Sequence, residues 1–357
     1  MKRRDGFELY TDYLIASRGQ ATSTGLSASL DNQIPHDYFS DLLKQPDMDQ
    51  KAFWKEVKSF ARSIEGEEAV LSIDDCIVHK PHSSENDIVA YHFDHTVGKA
   101  VKGINSLNFL LSNTVEGQTV NCPVAYEIVH KTVKYIDKNG KEKRKSEKTK
   151  NEMVLEVLHR LNFLNKLVFR YILFDTWFTA SDTLKYIHYK LKKVFVCPLK
   201  SNRNIAMSEK DKNEGKFIHV SDAPIESGQV KRVWVKGVDF PVTLAKQVFT
   251  NRDRSTAEQW LVTNGENMAF EDIVAIYQKR WKVEEFHKSL KQNTMLGKSP
   301  TKMEITQLNH IFASMIAYIK LEKLKVKEKL NHFAIKSKLY LKMIKAAMEE
   351  LDALRSA

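Results

Sequence analysis

The chain has 357 residues, 42% of them hydrophobic and 28% charged, which is room for two or three domains around a sizeable core. Lys and Arg number 56 against 45 Asp and Glu, and the formal charge of +11 favours a polyanionic partner such as nucleic acid. No run of 18 apolar residues occurs and the start MKRRDGFELY lacks a signal peptide's apolar stretch; Cys76, Cys122 and Cys197 have no CxxC spacing, so a membrane span, a disulfide framework and a zinc knuckle are not expected and a reducing, cytoplasmic location is.

From Gly6 to Ile64 apolar residues recur at helical spacing, with breaks at Gly19, Asp31 and Pro35, predicting a helical domain over 1–66. Within it, Ser23 to Leu30, the turn DNQI and Pro35 to Leu43 fit either a helix-turn-helix or a bundle that only packs, with Pro35 suited to a first helical position. From Glu67 the texture changes to EEAVLSIDD, then to strand-like stretches around 88–93, 108–111 and 124–135, an antiparallel meander. The basic run KEKRKSEKTK at 141–150 follows the turn residues Asp137 to Gly140 and reads as a solvated hairpin loop.

A helix over 151–164 leads into LVFRYILF at 167–174, an apolar strand that ends at Asp175, and a further helix covers 180–193. Strands alternating with helices predict an α/β domain with a mixed sheet, its first part spanning 67–192. KVFVCPLK, KFIHVSD, KRVWVKG, VTLAKQVFT and QWLVTN then read as strands of a β-rich insertion over 193–267. The core resumes over 268–305 with a helix carrying YQKRWKVEEFHKSLK, and a C-terminal helical region occupies 306–357, with its first helix over 306–321.

On one continuous helix, Tyr277, Arg280, Glu284 and Lys291 fall at about 0, 300, 340 and 320°, a stripe roughly 60° wide and about 21 Å long. Ala275, Ile276, Val283, Phe286 and Leu290 fill the opposite side, so the helix is anchored and presents its polar stripe. A solvated surface helix with an Arg280–Glu284 pair is the bland alternative. Asp74 and Asp175 argue against it, because each ends an apolar strand, where a charge is costly unless it is paired or holds a cation. Neighbouring strand residues point to opposite faces, and Asp74, with the parity of Ser72, is the better candidate than Asp75.

If the two strands are neighbours, Asp74, Asp175 and Glu284 converge as three hard oxygen donors, which suit Mg²⁺ or Mn²⁺ and not zinc. Two such ions can hold a phosphodiester and stabilise an in-line displacement. Arg280 and Lys291 then suit phosphate oxygens, and Tyr277 a phosphate or a base.

These residues resemble the insertion-sequence-four group of bacterial DDE transposases, whose third catalytic segment carries Tyr, two residues, Arg, three residues, Glu, six residues and Lys. Tyr277, Arg280, Glu284 and Lys291 match at every spacing; FDTWFTA at 174–180 resembles the second aspartate segment and IDDC at 73–76 the first, with Cys76 where members usually carry Thr. The resemblance spans about Glu67 to Lys291 and includes the β-rich insertion. It implies an RNase H-like fold, two Mg²⁺ ions held by Asp74, Asp175 and Glu284, and cut-and-paste transposition through a hairpin intermediate. The implied partners are the terminal inverted repeats and target DNA, bound by a homodimer near the nucleoid, with no membrane and no small-molecule substrate. A domesticated DNA-binding relative and a nuclease on the same fold are the alternatives. A hairpin requires a base to leave the stack, for which Trp234, Trp260 and Trp281 are candidate receivers, while Trp177 is expected to wedge the loop after Asp175. His79, His82, His92, His95 and His130 are expected to be structural.

Overall fold

In the computed structural model, which describes residues 3–46, 48–250 and 253–356, the chain opens with four helices, α1 (Arg3–Ala16), α2 (Ser23–Ala28), α3 (His36–Leu42) and α4 (Gln50–Ile64). Side-chain caps start two of them: Thr22 Oγ1 accepts from Gly25 N at 2.9 Å before α2, and Asp49 from Ala52 N at 2.7 Å before α4. The α2–α3 link turns on Asp31 and Asn32 at φ 52° and 57°, a conformation that short polar side chains tolerate. Pro35 stands at the N-cap of α3, one position before the helical site its fixed φ suggested.

The four helices serve two cores. Leu26, Phe39, Leu42 and Leu43 pack with Tyr10 and Leu14 of α1 against Ala313, Ala317, Leu321 and Ile335 from the far end of the chain. By contrast, Phe53, Val57, Ala61 and Ile64 form the buried stripe of α4 and join the main core under the sheet.

The strands follow as β1 (Val70–His79), β2 (Ala90–Asp94), β3 (Lys99–Val115), β4 (Gln118–Ile128), β5 (Val133–Ile136) and β6 (Glu142–Lys145). Next come α5 (Lys150–His159), β7 (Tyr171–Leu173), α6 (Ser181–Lys185), β8 (Val194–Leu199), β9 (Asn204–Ala206), α7 (Glu209–Asn213) and β10 (Ile218–His219). The chain then forms β11 (Val230–Val235), β12 (Val242–Thr250) and β13 (Thr256–Thr263), and closes with α8 (Phe270–Gln278), α9 (Trp281–Asn293), α10 (Glu304–Glu328) and α11 (His332–Ser356). Eleven strands form one sheet in the order β10-β9-β11-β12-β13-β8-β7-β1-β3-β2, with β4 also on β3. β1–β7 and β7–β8 are parallel and the other pairs antiparallel. This mixed α/β sheet with helices at both ends of the chain is consistent with an RNase H-like fold.

β3 is the hub. It pairs with β1, β2 and β4 and runs 17 residues, where the sequence pattern marked only 108–111. At Gly103, opposite both His79 and Ala90, a Cβ would come within 2.5 Å of the Val78 carbonyl oxygen, so only glycine fits that crossing. β7 is shorter than the apolar run suggests. Only Tyr171–Leu173 makes ladder pairs, while Leu167 and Phe169 bury themselves in the core on the approach. The helices flanking it end in π-helical turns at Arg160–Leu164 and Tyr186–Leu191, the second closed by Lys192 at φ 53°. The β-rich stretch continues the same sheet beyond β7, since β8 pairs with β7 and β13 with β8. Only the first half of the basic run, through Lys145, lies on the β5–β6 hairpin, where Asp137 Oδ1 accepts from Asn139 N and Lys141 N; its last residue, Lys150, opens α5 and pairs with Asp75.

α10 extends to Glu328, past the expected end at 321, and is pinned to β4 by a buried ionic cluster. Glu322, 1% exposed, accepts from Asn121 N at 2.8 Å and pairs with Lys325 and with His332 Nε2, 2.8 Å away. Burial alone would raise this carboxyl, but the His332 hydrogen bond and the Lys325 charge hold it below the usual range. A lowered carboxyl contributes stability above its unfolded pKa and loses it as pH falls. Glu322→Ala is therefore expected to cost about 3 kcal/mol at neutral pH, because it strands buried partners. In thermal melts the gap to the parent protein should close below about pH 4; a gap independent of pH would show that the carboxylate charge is not what holds α10.

Candidate active site

Asp74 does not end its strand as expected: β1 runs on to His79, and Asp74 sits in its middle opposite Asn108 of β3, which extends the ladder past the acids. β1 and β7 run parallel with Val70 opposite Tyr171 and Ser72 opposite Leu173; Asp74 lies two residues past Ser72 inside β1, and Asp175 two residues past Leu173, beyond the end of β7. Strand alternation separates the two neighbours on β1. Asp74 Oδ2 faces Arg280 Nη1 at 3.2 Å, whereas Asp75 Oδ2 takes Lys150 Nζ and Asn105 Nδ2, each at 2.8 Å. Beyond Phe174 the chain bends into the 3₁₀ turn Thr176–Phe178, and Asp175 Oδ1 caps it by accepting from Trp177 N at 2.6 Å.

The segment YQKRWKVEEFHKSLK is two helices with a tightened turn at Lys279 and Arg280, not one continuous helix. There the bonds skip three residues instead of four: Arg280 N donates to Tyr277 O and Val283 N to Arg280 O. Tyr277 lies near the end of α8, Arg280 caps α9, and Glu284 and Lys291 stand on α9. The break also undoes part of the expected apolar side: Val283, Phe286 and Leu290 are buried, but Ala275 is exposed.

Arg280 is the centre of the arrangement. Besides Asp74 it reaches Glu284 Oε1 through Nη2 at 3.5 Å, and its guanidinium carbon lies 5.9 Å from the centre of the Tyr277 ring. Its side chain is only 17% exposed, so the solvated-helix alternative does not describe it. Burial pushes the Asp74 carboxyl up to about 7; the Arg280 charge opposes this, and Glu284, Asp75 and Asp175 add to the rise. Tyr277 is likewise pushed up to about 12 by burial, against the pull of Arg280, and stays a neutral phenol.

One member of the site was not a sequence candidate. His287, one turn after Glu284, is buried, and oxygen or nitrogen ligand atoms of Asp74, Glu284 and His287 all lie within 4.8 Å of one another. Burial pushes its imidazole down to about 3, with Lys291 also disfavouring the charge, so it is neutral, and its Nε2 accepts from Asn108 Nδ2 at 3.1 Å. The i,i+3 spacing of Glu284 and His287 was the available signal. Asp175 is not in that ligand group, although its charge is felt at Asp74, Tyr277 and Arg280.

Lys291 stands beside Cys76, which shares the parity of Asp74 on β1, and opposes the rise of its thiol to about 11 on burial. Among the tryptophans, Trp260 is buried at 2% exposure, Trp234 is half-buried and Trp281 is exposed. Trp177 is exposed too and does not wedge the loop as expected. Of the meander histidines, His79 pairs with Asp94 and His92 is buried.

Replacing Arg280 with Met removes the one charge that lowers Asp74 among the causes above, so the Asp74 carboxyl should titrate above about 7. Its infrared carboxyl band, identified by difference against Asp74→Asn, reads this directly; an unchanged or lower midpoint would mean that the guanidinium does not set the charge of the site.

Residues 1–211, which include Asp74 and Asp175, match the family model described as DDE superfamily endonuclease. Residues 143–320, which include Asp175 and Glu284, match the model described as Transposase DDE domain. No match was found among curated proteins. Because the first match covers more than half of the chain, the protein belongs to the DDE superfamily endonucleases, and its transposase DDE domain makes it a DNA-cleaving enzyme of that kind.

Proposed function

We propose that this DDE transposase carries out cut-and-paste transposition of an insertion sequence of the insertion-sequence-four type. It would nick the element end with water, turn the freed 3′ hydroxyl on the opposite strand to form a hairpin and release the flanking DNA, open the hairpin with a second water to free the 3′ hydroxyl again, and finally join that 3′ end to target DNA. The observation that carries the reading is that Asp74 on β1 and Glu284 on α9 both reach Arg280, while Asp175 follows β7, the parallel neighbour of β1.

The residues fit a pair of divalent cations. Carboxylates are hard donors, and burial, with the neighbouring acids adding to it, keeps Asp74 protonated up to about pH 7 despite Arg280, a deficit that bound cations would make good. Asp74, Asp175 and Glu284 would hold two Mg²⁺ ions, or Mn²⁺ in their place. Bound there, the ions would supply Lewis acidity to the phosphodiester and to the attacking oxygen. His287 adds no charge, since burial keeps it neutral. Arg280, released from the two carboxylates, would grip phosphate oxygens as a fork, with Lys291 further along α9 as a point charge and Tyr277 as a neutral hydrogen-bonding phenol.

The assembly would be a homodimer on paired inverted repeats in the nucleoid, with the N-terminal helices holding DNA. In support of a cellular DNA partner, the chain carries +11 formal charge, and among the described residues no helix is long and apolar enough to cross a membrane.

Asp175→Asn, or removal of divalent ions with EDTA, should abolish nicking of inverted-repeat DNA while duplex binding persists; full cleavage by the variant would remove Asp175 from the reaction. A strand-transfer assay separates transposition from simple hydrolysis, because a nuclease would cut without joining. Duplex affinity should also fall steeply with salt, by a log–log slope of about −0.9 for each phosphate neutralised. A flat response between 50 and 200 mM salt, the range over which about six to ten phosphate contacts cost 10³ to 10⁵ in affinity, would count against a phosphate-tracking surface.

A further inference from the structure

The turn that Asp175 caps also presents a large ring to solvent. Trp177 is 52% exposed and is not isolated. The ring of His95 lies 5.8 Å from it, and Phe93, itself 57% exposed, lies 4.9 Å from His95. Lys200 Nζ stands 5.6 Å from the Trp177 ring centre. Two separate segments, the end of β2 and the turn after β7, thus bring three aromatic rings to one place beside Asp175.

Both segments are held firmly, so the rings are not loose ends. Asp94, between Phe93 and His95, accepts from Thr96 N at 2.9 Å and Thr96 Oγ1 at 2.6 Å, and its other oxygen lies 2.8 Å from His79 Nε2. On the other segment Trp177 N donates to Asp175, and Thr179 Oγ1 donates to Thr176 O at 2.8 Å. Trp177 also borders a cavity of about 430 Å³ whose charged lining is Lys200, Arg203 and Lys236, with no carboxylate. Arg203 is held at its place by donating to Ser181 Oγ at 2.7 Å.

We propose that this is the seat of an unpaired nucleotide of the DNA strand next to the cleavage point. Its base stacks on the Trp177–His95–Phe93 surface, and its phosphate enters the cavity towards Lys200, Arg203 and Lys236. Every base has a π-face, so such a surface accepts any sequence, and an adjoining cationic cavity selects the polyanionic strand over an apolar peptide. A paired base keeps its face covered by its neighbours, so the seat discriminates strand ends and extruded bases from continuous duplex. The inference rests on the DNA-cleaving reading above, to which it adds where an unpaired base would go. Trp281, on α9, makes no ring contact with this group among the described residues.

The test uses the full chain in EDTA, where no cleavage complicates binding. One probe is a 20-bp duplex with a three-nucleotide single-stranded end carrying 2-aminopurine; the other is the blunt duplex. The protein should prefer the first probe and quench its fluorescence. Trp177→Ala should erase that preference by about tenfold or more with blunt-duplex affinity unchanged, and Trp177→Phe should keep most of it. Lys200→Gln and Lys236→Gln should each reduce the salt slope for the single-stranded end by about one. Because the Trp177 ring is half outside the protein, a melting curve that matches the parent is expected. If Trp177→Ala binds both probes as the parent does, or the parent shows no preference, the seat is overturned while the cleavage reading stands. Binding of neither probe by the parent would overturn both.

Discussion

A carboxyl group buried within a strand among other carboxyls must be compensated, and much else in this protein follows from that requirement. Asp74 meets it with Arg280, which also touches Glu284, so one guanidinium ties a strand near the start of the chain to a helix 206 residues later. The compensation is incomplete. Asp74 still titrates near 7, because burial and three neighbouring acids outweigh one opposite charge. A site left short of positive charge in this way is one that a further cation would relieve, and its carboxylates are hard oxygen donors.

The fold serves this arrangement by laying β7, after which Asp175 follows, parallel to β1. A parallel pair needs a long crossover, and here it runs through β2–β6 and α5 before β7 returns beside β1. On the far side of β7, β8 to β13 lengthen the same sheet, and Val196, Ala245 and Leu261 with Tyr171 and Leu173 form the apolar surface against Ile273 of α8. α8 delivers Tyr277, and the tightened turn after it re-aims the chain so that α9 can lay Glu284 and Lys291 along β1. The N-terminal helices α1–α3 and the C-terminal α10 and α11 share a core of their own, while α4 belongs to the sheet. Chain ends that are remote in sequence are thus neighbours in space.

Trp177 illustrates how one short loop can carry two kinds of chemistry. Its backbone N–H is consumed by Asp175, which fixes the acidic oxygen; its indole faces outward beside Lys200 and His95. A residue expected to pack inside the loop is instead displayed, because the 3₁₀ turn buries Phe178 in its place, at 0% exposure.

Local rules carried the reading of the chain a long way. The parity of Ser72 and Asp74 against Leu71, Ile73 and Asp75 separates the two acids on β1 without coordinates, because alternation is a property of the strand itself. The same holds for the basic hairpin about Asp137–Gly140 and for the four-residue spacing from Tyr277 to Lys291. What periodicity could not supply was anything set by distant partners. The break at Arg280 is invisible to a 3.6-residue repeat, which carries no record of where i,i+3 bonds replace i,i+4 ones. The length of β3 depends on three neighbours with which it pairs, and the shortness of β7 on where Ala69 and β8 end the ladder. His287 entered the site only when β1 and α9 were brought together, as a lone histidine on a helix has no signature. The sequence alone therefore determined which residue types could do the chemistry and which faces they occupy; the tertiary structure alone decided which of those faces meet, because that depends on burial and charge summed over segments hundreds of residues apart.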